Sequence, residues 1–442
     1  MNVINKSKLK VMEKIRKTDA LKVYEEYQSS QWWDQEQLIS LQEKKLRSLI
    51  EHSYQNVPYF REYMTNNGLM PEDITSIQDL ERLPVIDKTI IKGHKNEFLA
   101  NDMDKYDPDE KRTGGSTGEP LKYYVSKESH SLMWGNIWRG WSVSGYTPGD
   151  KVAVLAGGSL LSGFDYKRQL YYYLNNWLPF SSYDMSKEKM SEYVDKLKKG
   201  NIEYLYAYSS SAFELANFIM EHQLTVNLKG VITTSEVLFP HYRAAIEKAF
   251  GCKVYDQYGA NDGGVTAFEC EYHNGLHVGM ERCIVEVVDE EGHVVPDGVE
   301  GRILLTDLSN YAMPFIRYEV GDYGALTYEP CPCGRGLIRL THIKGRKQEF
   351  IYTEEREKVH GGFFSTTFRQ HDEIDQFQVV QTVPGKVSIR LKINDGAFSS
   401  KLEDLEKHIL EKGQLNEVEF ELTDTFTKTK GGKHKFIINE VD

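Results

Sequence analysis

The stretch from Gly230 to Asp262, G-V-I-T-T-S-E-V-L-F-P-H-Y-R-A-A-I-E-K-A-F-G-C-K-V-Y-D-Q-Y-G-A-N-D, reads as strand, helix, strand. Gly230 to Thr234 and Lys253 to Asp256 are short runs rich in β-branched and aromatic residues, and Pro240 to Phe250 between them has helical spacing. Working outward, Lys151 to Ala156 and Ile202 to Ala207 read as further buried strands and Ser211 to His222 as a helix. This is a βαβαβ pattern, which predicts a mainly parallel sheet covered by helices. Such sheets bind ligands beyond the carboxyl ends of their strands. Two polar clusters stand at those ends: Thr233-Thr234-Ser235-Glu236, and Tyr258-Gly259-Ala260-Asn261-Asp262. Each alone is open to reading as a helix cap or a turn. Together they point at one crevice.

Upstream lies Thr113 to Pro120, T-G-G-S-T-G-E-P. Glycines and hydroxyl residues in this density cannot pack a core, but they can turn several N–H and O–H groups toward one anion. A polar surface turn is the plain alternative. Between this loop and the strands, Trp134, Trp138 and Trp141 are close together and read either as core or as the flat wall of an aromatic or acyl pocket. Before it, Asp34 opens a helix with Gln37 as capping-box partner and a periodic Leu38, Leu41, Leu46, Leu49, Ile50, Tyr54 face, and Pro58 marks its stop.

Downstream the period changes to two. Cys283, Val285 and Val287 alternate with Ile284, Glu286 and Val288, Glu291-Gly292 turns, and Arg302 to Leu308 returns as antiparallel sheet. Ile316-Arg-Tyr-Glu-Val-Gly-Asp322 follows. Beyond Gly345-Arg346 a small α+β unit is predicted from a hairpin around Pro384-Gly385, a helix through Leu402, Leu405 and Ile409, and strands at Glu417 to Leu422 and His434 to Ile438. It carries a basic glycine turn, Lys428-Thr-Lys-Gly-Gly-Lys433.

The 442 residues, 40% hydrophobic, describe a globular chain of two or three domains. A net charge of −12 disfavours nucleic acid and anionic membrane as partners and leaves a small molecule as the default. Neither a secretory signal nor an apolar run long enough to span a membrane is present, so a cytoplasmic protein is expected. Five cysteines argue against a disulfide framework. Cys270, His277, Cys331 and Cys333 supply three thiols and an imidazole suited to structural zinc, with His273 as the competing imidazole.

Taken in order, T-G-G-S-T-G-E-P, Y-G-A-N-D, R-Y-E-V-G-D, G-R and K-T-K-G-G-K resemble the motif series of the adenylate-forming enzymes. Val57-Pro-Tyr-Phe60 and Gly275-Leu-His277 resemble the phenylacetate–CoA ligase branch and its CapK-like, capsule-associated relatives, over nearly the whole chain. The resemblance implies an α/β fold. A large N-terminal adenylation domain, residues 1–345, would hold mainly parallel sheets flanked by helices plus an antiparallel β subdomain. A small mobile α+β domain, residues 346–442, would carry the catalytic lysine. It implies ATP and Mg2+, a carboxylic acid that attacks the α-phosphate to give an acyl-adenylate, and an acceptor that displaces AMP. CoA is the first choice of acceptor, with an amine, sugar or carrier protein as the alternative.

Residue by residue, the resemblance implies that Thr113, Ser116, Thr117 and Gly118 hold the phosphates, that Ser235 and Glu236 border the nucleotide, and that Tyr258 lies against adenine. Asp262 would serve magnesium, Asp322 the ribose hydroxyls, Arg346 the nucleotide at the domain junction, and Lys433 the α-phosphate and attacking carboxylate. Trp134, Trp138, Tyr208, Ser209 and Gly259 are expected to line the acid pocket, and some relatives of this branch carry zinc on a pattern like Cys270, His277, Cys331 and Cys333. Arg317 is expected either to brace its turn or to touch phosphate, and Asn261 and Gln348 stand where the family more often has Thr and a charged hinge residue. A possible homodimer, a catalytically silent relative that kept the fold, and a phosphotransferase releasing ADP remain as alternatives.

Overall fold

The structure is a computed structural model that describes residues 3–112, 121–157, 166–346, 350–368, 371, 373–394, 401–428 and 434–441. The chain opens with four helices, α1 (Val3–Arg16), α2 (Ala20–Ser30), α3 (Gln35–Asn56) and α4 (Pro58–Asn66), and a short α5 (Lys88–Gly93). The Asp34 carboxylate accepts from the Gln37 backbone N–H and the Gln37 side chain answers, so the capping box forms as its sequence requires. Pro58 does end α3, and it then serves as the first residue of α4, a position where its missing N–H costs nothing.

A hairpin of β1 (Asp109–Arg112) and β2 (Lys122–Val125) follows, then α6 (Lys127–Ser142), β3 (Val152–Ala156), α7 (Tyr166–Asn175), β4 (Trp177–Ser181), α8 (Lys187–Lys199) and β5 (Tyr204–Tyr208). Next come α9 (Ser209–Glu221), β6 (Gly230–Thr234), α10 (Pro240–Phe250), β7 (Lys253–Ala260), β8 (Val265–Glu269), β9 (Leu276–Val278), β10 (Cys283–Val288), β11 (Gly301–Asp307), β12 (Tyr318–Thr327) and β13 (Arg339–Arg346). The C-terminal part holds β14 (Phe350–Tyr352), β15 (Lys358–His360), α11 (Gly362–Phe368), β16 (Ile374–Val383), β17 (Lys386–Ile393), α12 (Leu402–Gly413), β18 (Glu417–Leu422) and β19 (Ile437–Asn439).

The parallel and antiparallel parts form one sheet of 11 strands, ordered β10-β11-β12-β13-β9-β8-β7-β6-β5-β3-β4. From β7 to β4 every ladder is parallel, and from β7 to β10 every ladder is antiparallel. The period of two sorts the parallel strands into two cores. Ala153 and Leu155 join one core with Leu205, Val231 and α8 to α10, while Val152, Val154 and Ala156 join another with Trp138, Trp141, Tyr206 and α1. A third core lies between α3, α4 and the antiparallel half.

A second sheet, β18-β17-β16-β19, with α11 and α12, builds the C-terminal unit. It docks on the loop before α10: the Phe239 ring lies 6.2 Å from Phe377 and 5.7 Å from Phe436.

The antiparallel half is curled. In a flat sheet the four steps from β12 to β7 would hold those strands about 19 Å apart. Two side-chain contacts, Tyr258 to Asp322 and Tyr318 to Asp262, close that gap. Glycine permits the close approach: a Cβ on Gly263 would sit 2.3 Å from Leu305, and one on Gly264, at φ +77°, 2.4 Å from Asp307.

Candidate active site

The carboxyl ends of the parallel strands gather the polar clusters. Tyr258, in β7, donates its hydroxyl to Asp322 of β12 at 2.7 Å. Tyr318, in β12, donates to Asp262, just past β7, at 2.9 Å. The two segments, Y-G-A-N-D and Y-E-V-G-D, thus exchange hydrogen bonds in both directions. Lys88 Nζ lies 3.8 Å from the Asp262 carboxylate, which keeps partial access to solvent. Asn261 donates to the Tyr123 hydroxyl at 3.2 Å, and its own buried Oδ1 has no hydrogen-bond partner among the described residues. Burial, with the Asp262 charge nearby, pushes the Tyr123 hydroxyl well above the usual tyrosine range, so it remains a neutral donor.

Ser235 follows β6 at φ +69°, a region that a residue with a side chain adopts at a cost. The bend turns Glu236 inward. One of its carboxylate oxygens accepts from the Ser210 backbone N–H at the start of α9, and the other from the His434 backbone N–H of the C-terminal unit, both at 2.9 Å. Ser209 Oγ reaches the Glu236 carbonyl at 3.4 Å.

Among the expected pocket residues, Tyr208 and Trp138 are buried in the core, Trp134 is half-buried, and Gly259 is exposed. Trp138 therefore packs the sheet: with Trp141, Tyr206 and Tyr146 it forms an aromatic layer against β3 and β5. Among the described residues, a Cβ on Gly259 would touch only the Val265 carbonyl, at 3.8 Å.

Arg317, at φ +50°, turns away from the crevice; its guanidinium is spent on Glu286 at 3.1 Å and on the carbonyls of Leu83 and Gly292. Of the two roles open to it, it braces the turn. Arg346 stands in register with Asp322 across the β12–β13 ladder. Thr113, Ser116, Thr117 and Gly118, together with Gln348 and Lys433, lie outside the described residues. Arg112 pairs with Lys122, so the strands that flank the 113–120 segment run side by side.

The second cluster lies at the other end of β8. The ligand atoms of Cys270, His277, Cys331 and Cys333 all fall within 4.8 Å of one another. Cys270 Sγ is 3.7 Å from Cys331 Sγ, and Cys333 Sγ is 3.4 Å from His277 Nε2. A tetrahedral ion with zinc–ligand bond lengths would set two thiolates about 3.8 Å apart and a thiolate and imidazole nitrogen about 3.6 Å apart. The donor set fits. His277 Nδ1 meets the Leu337 carbonyl at 3.3 Å, which orients the ring and directs Nε2 to the cluster. His273 is engaged elsewhere, 3.1 Å from Glu269 and 3.2 Å from Arg243, so His277 supplies the imidazole.

Sequence reading singled out neither Tyr318 nor Lys88, nor the link from Glu236 to His434. A usable signal existed for the first: a tyrosine four residues before an aspartate occurs in both motif segments.

Residues 351–440 match the family model described as the CapK C-terminal domain. The chain is 24% identical to Protein CapK of Staphylococcus aureus over 91% of its own length and 90% of that protein. It is 26% identical to the phenylacetate-coenzyme A ligase of Thermus thermophilus over 72% of each chain. A solved 2-hydroxyisobutyryl-CoA ligase in the postadenylation state superposes with a TM-score of 0.72 at 20% identity, covering 90% of this chain and 88% of that one. The same ligase in its thioesterification state gives 0.60 at 20% identity, covering 91% of this chain and 89% of that one. The chain is therefore a homologue of CapK and of the phenylacetate-CoA ligases, and it has the fold of the adenylate-forming ligases.

Proposed function

We propose that the protein is an ATP-dependent, AMP-forming carboxylic acid ligase that makes an acyl-adenylate and passes the acyl group to CoA. The observation that carries this reading is the reciprocal pairing of Tyr258 with Asp322 and Tyr318 with Asp262, which brings two distant motif segments to the carboxyl edge of the parallel strands. In this reading Asp262 offers oxygen to Mg2+, a hard cation suited to a carboxylate, and Asp322 accepts from the ribose hydroxyls. Tyr258 borders the adenine, and Arg346 and Ser235 flank the nucleotide. Thr113, Ser116, Thr117 and Gly118 donate to the phosphates. Magnesium held by Asp262 would supply neutralisation of the phosphate charge. Lys433 stabilises charge that develops between carboxylate and α-phosphate.

The domain boundary falls at 345/346, after which the C-terminal unit begins. Cys270, His277, Cys331 and Cys333 hold a structural zinc ion, since four protein ligands leave no open position for chemistry. Trp134, Ser209 and Gly259 stand at the acid pocket, with Tyr208 and Trp138 backing it from the core. Sedimentation velocity tests whether the protein is a homodimer.

A second acceptor class is supported by one contrast. The likeness to the phenylacetate ligase covers 72% of the chain, whereas the likeness to CapK covers 91%, and the C-terminal unit matches the CapK family. An amine, sugar or carrier protein would then replace CoA. The test is pyrophosphate and AMP release over a panel of aryl, fatty and amino acids, with and without CoA. Acid-dependent release supports the ligase, and ADP as the product would overturn it. A CoA requirement for turnover decides between the acceptors.

A further inference from the structure

Among the described residues, polar contacts tie the C-terminal unit to the large unit at the carboxyl ends of parallel strands. Glu236, after β6, accepts from the His434 backbone N–H at 2.9 Å while its other oxygen accepts from Ser210, after β5, also at 2.9 Å. Lys428 donates to the carbonyl of Ser182, after β4, at 3.0 Å and lies 4.0 Å from Glu214 on α9. Lys428 and His434 are themselves bridged in antiparallel fashion. The base of the basic turn is therefore pinned from both sides, at the ends of β6 and β5 and at the end of the edge strand β4. The strained Ser235 backbone is explained in the same way, since it aims the Glu236 carboxylate at two backbone N–H groups from different units.

We propose that Glu236 and Lys428 are positioning residues that latch the C-terminal unit onto the strand ends in the pose that acid activation uses. This rests on the ligase reading above. The pose is the one that superposes on the postadenylation neighbour at 0.72, against 0.60 for its thioesterification state. A latch made of one carboxylate and one ammonium can be broken by exchanging either side chain, without touching the buried Phe239, Phe377 and Phe436 contact. Its loss lowers the share of molecules in the activating pose.

The test has two parts. Spectroscopic labels carried by noncanonical residues on α8 and α12 report the distance between the units in the full chain without substrate. The wild type is expected to give one narrow distance, and Glu236→Ala and Lys428→Met each a broader and longer distribution. Glu236→Gln keeps one acceptor oxygen and is expected between them. In the second part, acid-dependent ATP–pyrophosphate exchange falls about 10- to 100-fold in kcat for Lys428→Met, with the KM for ATP held within about twofold. Transfer from supplied acyl-adenylate stays within about twofold of wild type. Unchanged distances in the Glu236→Ala, Lys428→Met double variant, or equal losses in both half-reactions, overturn the latch. A wild type without exchange for any acid counts against the ligase reading, and the distances still decide the latch.

Discussion

The two side-chain clusters sit at opposite ends of β8 and are built in opposite ways. At one end the ligand atoms of Cys270, His277, Cys331 and Cys333 converge within 4.8 Å of one another, and three of the four residues are buried. Their partners come from two short segments, and the surrounding backbone fixes the imidazole. At the other end the carboxylates of Asp262 and Asp322 are held by tyrosines from strands four steps apart, and the neighbouring Glu236 is held from a different unit. The first arrangement closes a site and leaves nothing for a substrate. The second holds charged groups at a surface that ligands can reach. Burial with a complete donor set marks scaffold, and braced but accessible charge marks chemistry.

The contrast is open to direct attack. The largest effect is expected from Lys433→Ala, which lowers acid-dependent ATP–pyrophosphate exchange about a thousandfold while ATP binding and melting temperature hold; unchanged pyrophosphate release would break the assignment of chemistry to this end of β8. Cys331→Ser, or zinc stripped by a chelator, is expected to cost about 3 kcal/mol of stability in chemical denaturation with exchange per folded molecule intact. A loss of exchange in a fully folded Cys331→Ser protein would move chemistry into the closed cluster.

Acid gives a third probe. His130, in the first turn of α6 behind β1, is held down to about 3 by burial, with Arg16 and Lys111 adding to it. The unfolded chain takes up this proton near pH 6.5 and the folded one does not, so stability is full above that value and falls as the pH drops. About 2 kcal/mol is lost between pH 7 and pH 5, and His130→Gln flattens that slope in pH-dependent denaturation. The smallest effects come from Tyr258→Phe and Tyr318→Phe, each removing one hydroxyl that braces a carboxylate. Each is expected to reduce exchange about fivefold, as the loss of one hydrogen bond would, and the double variant to show whether the crossed pairs act as a unit.

Much of the scaffold was legible because local rules decided it. β6 and α10 begin and end where their residues predict, and so does the capping box at Asp34. Strand β4 was not legible: Trp177-Leu-Pro-Phe-Ser181 contains a proline, which speaks against a strand unless the strand lies at an edge, and β4 is the edge of the large sheet. Nor could spacing choose between His273 and His277, because the choice rests on Glu269 and Arg243 drawing one ring away. The crossing of tyrosines and aspartates was hidden for a further reason. It depends on sheet curl, which the alternation of residues along a single strand does not encode.

That curl has a consequence for exchanging parts between relatives. Tyr258 and Asp262 belong to the parallel half, Tyr318 and Asp322 to the antiparallel half, and each half supplies one donor and one acceptor to the other. A chimera cut in the β7–β8 turn would have to carry over both members from each side, along with the two glycines that let the turn close. The C-terminal unit contributes to neither crossed pair, so among the described residues it is the module whose exchange leaves those pairs whole.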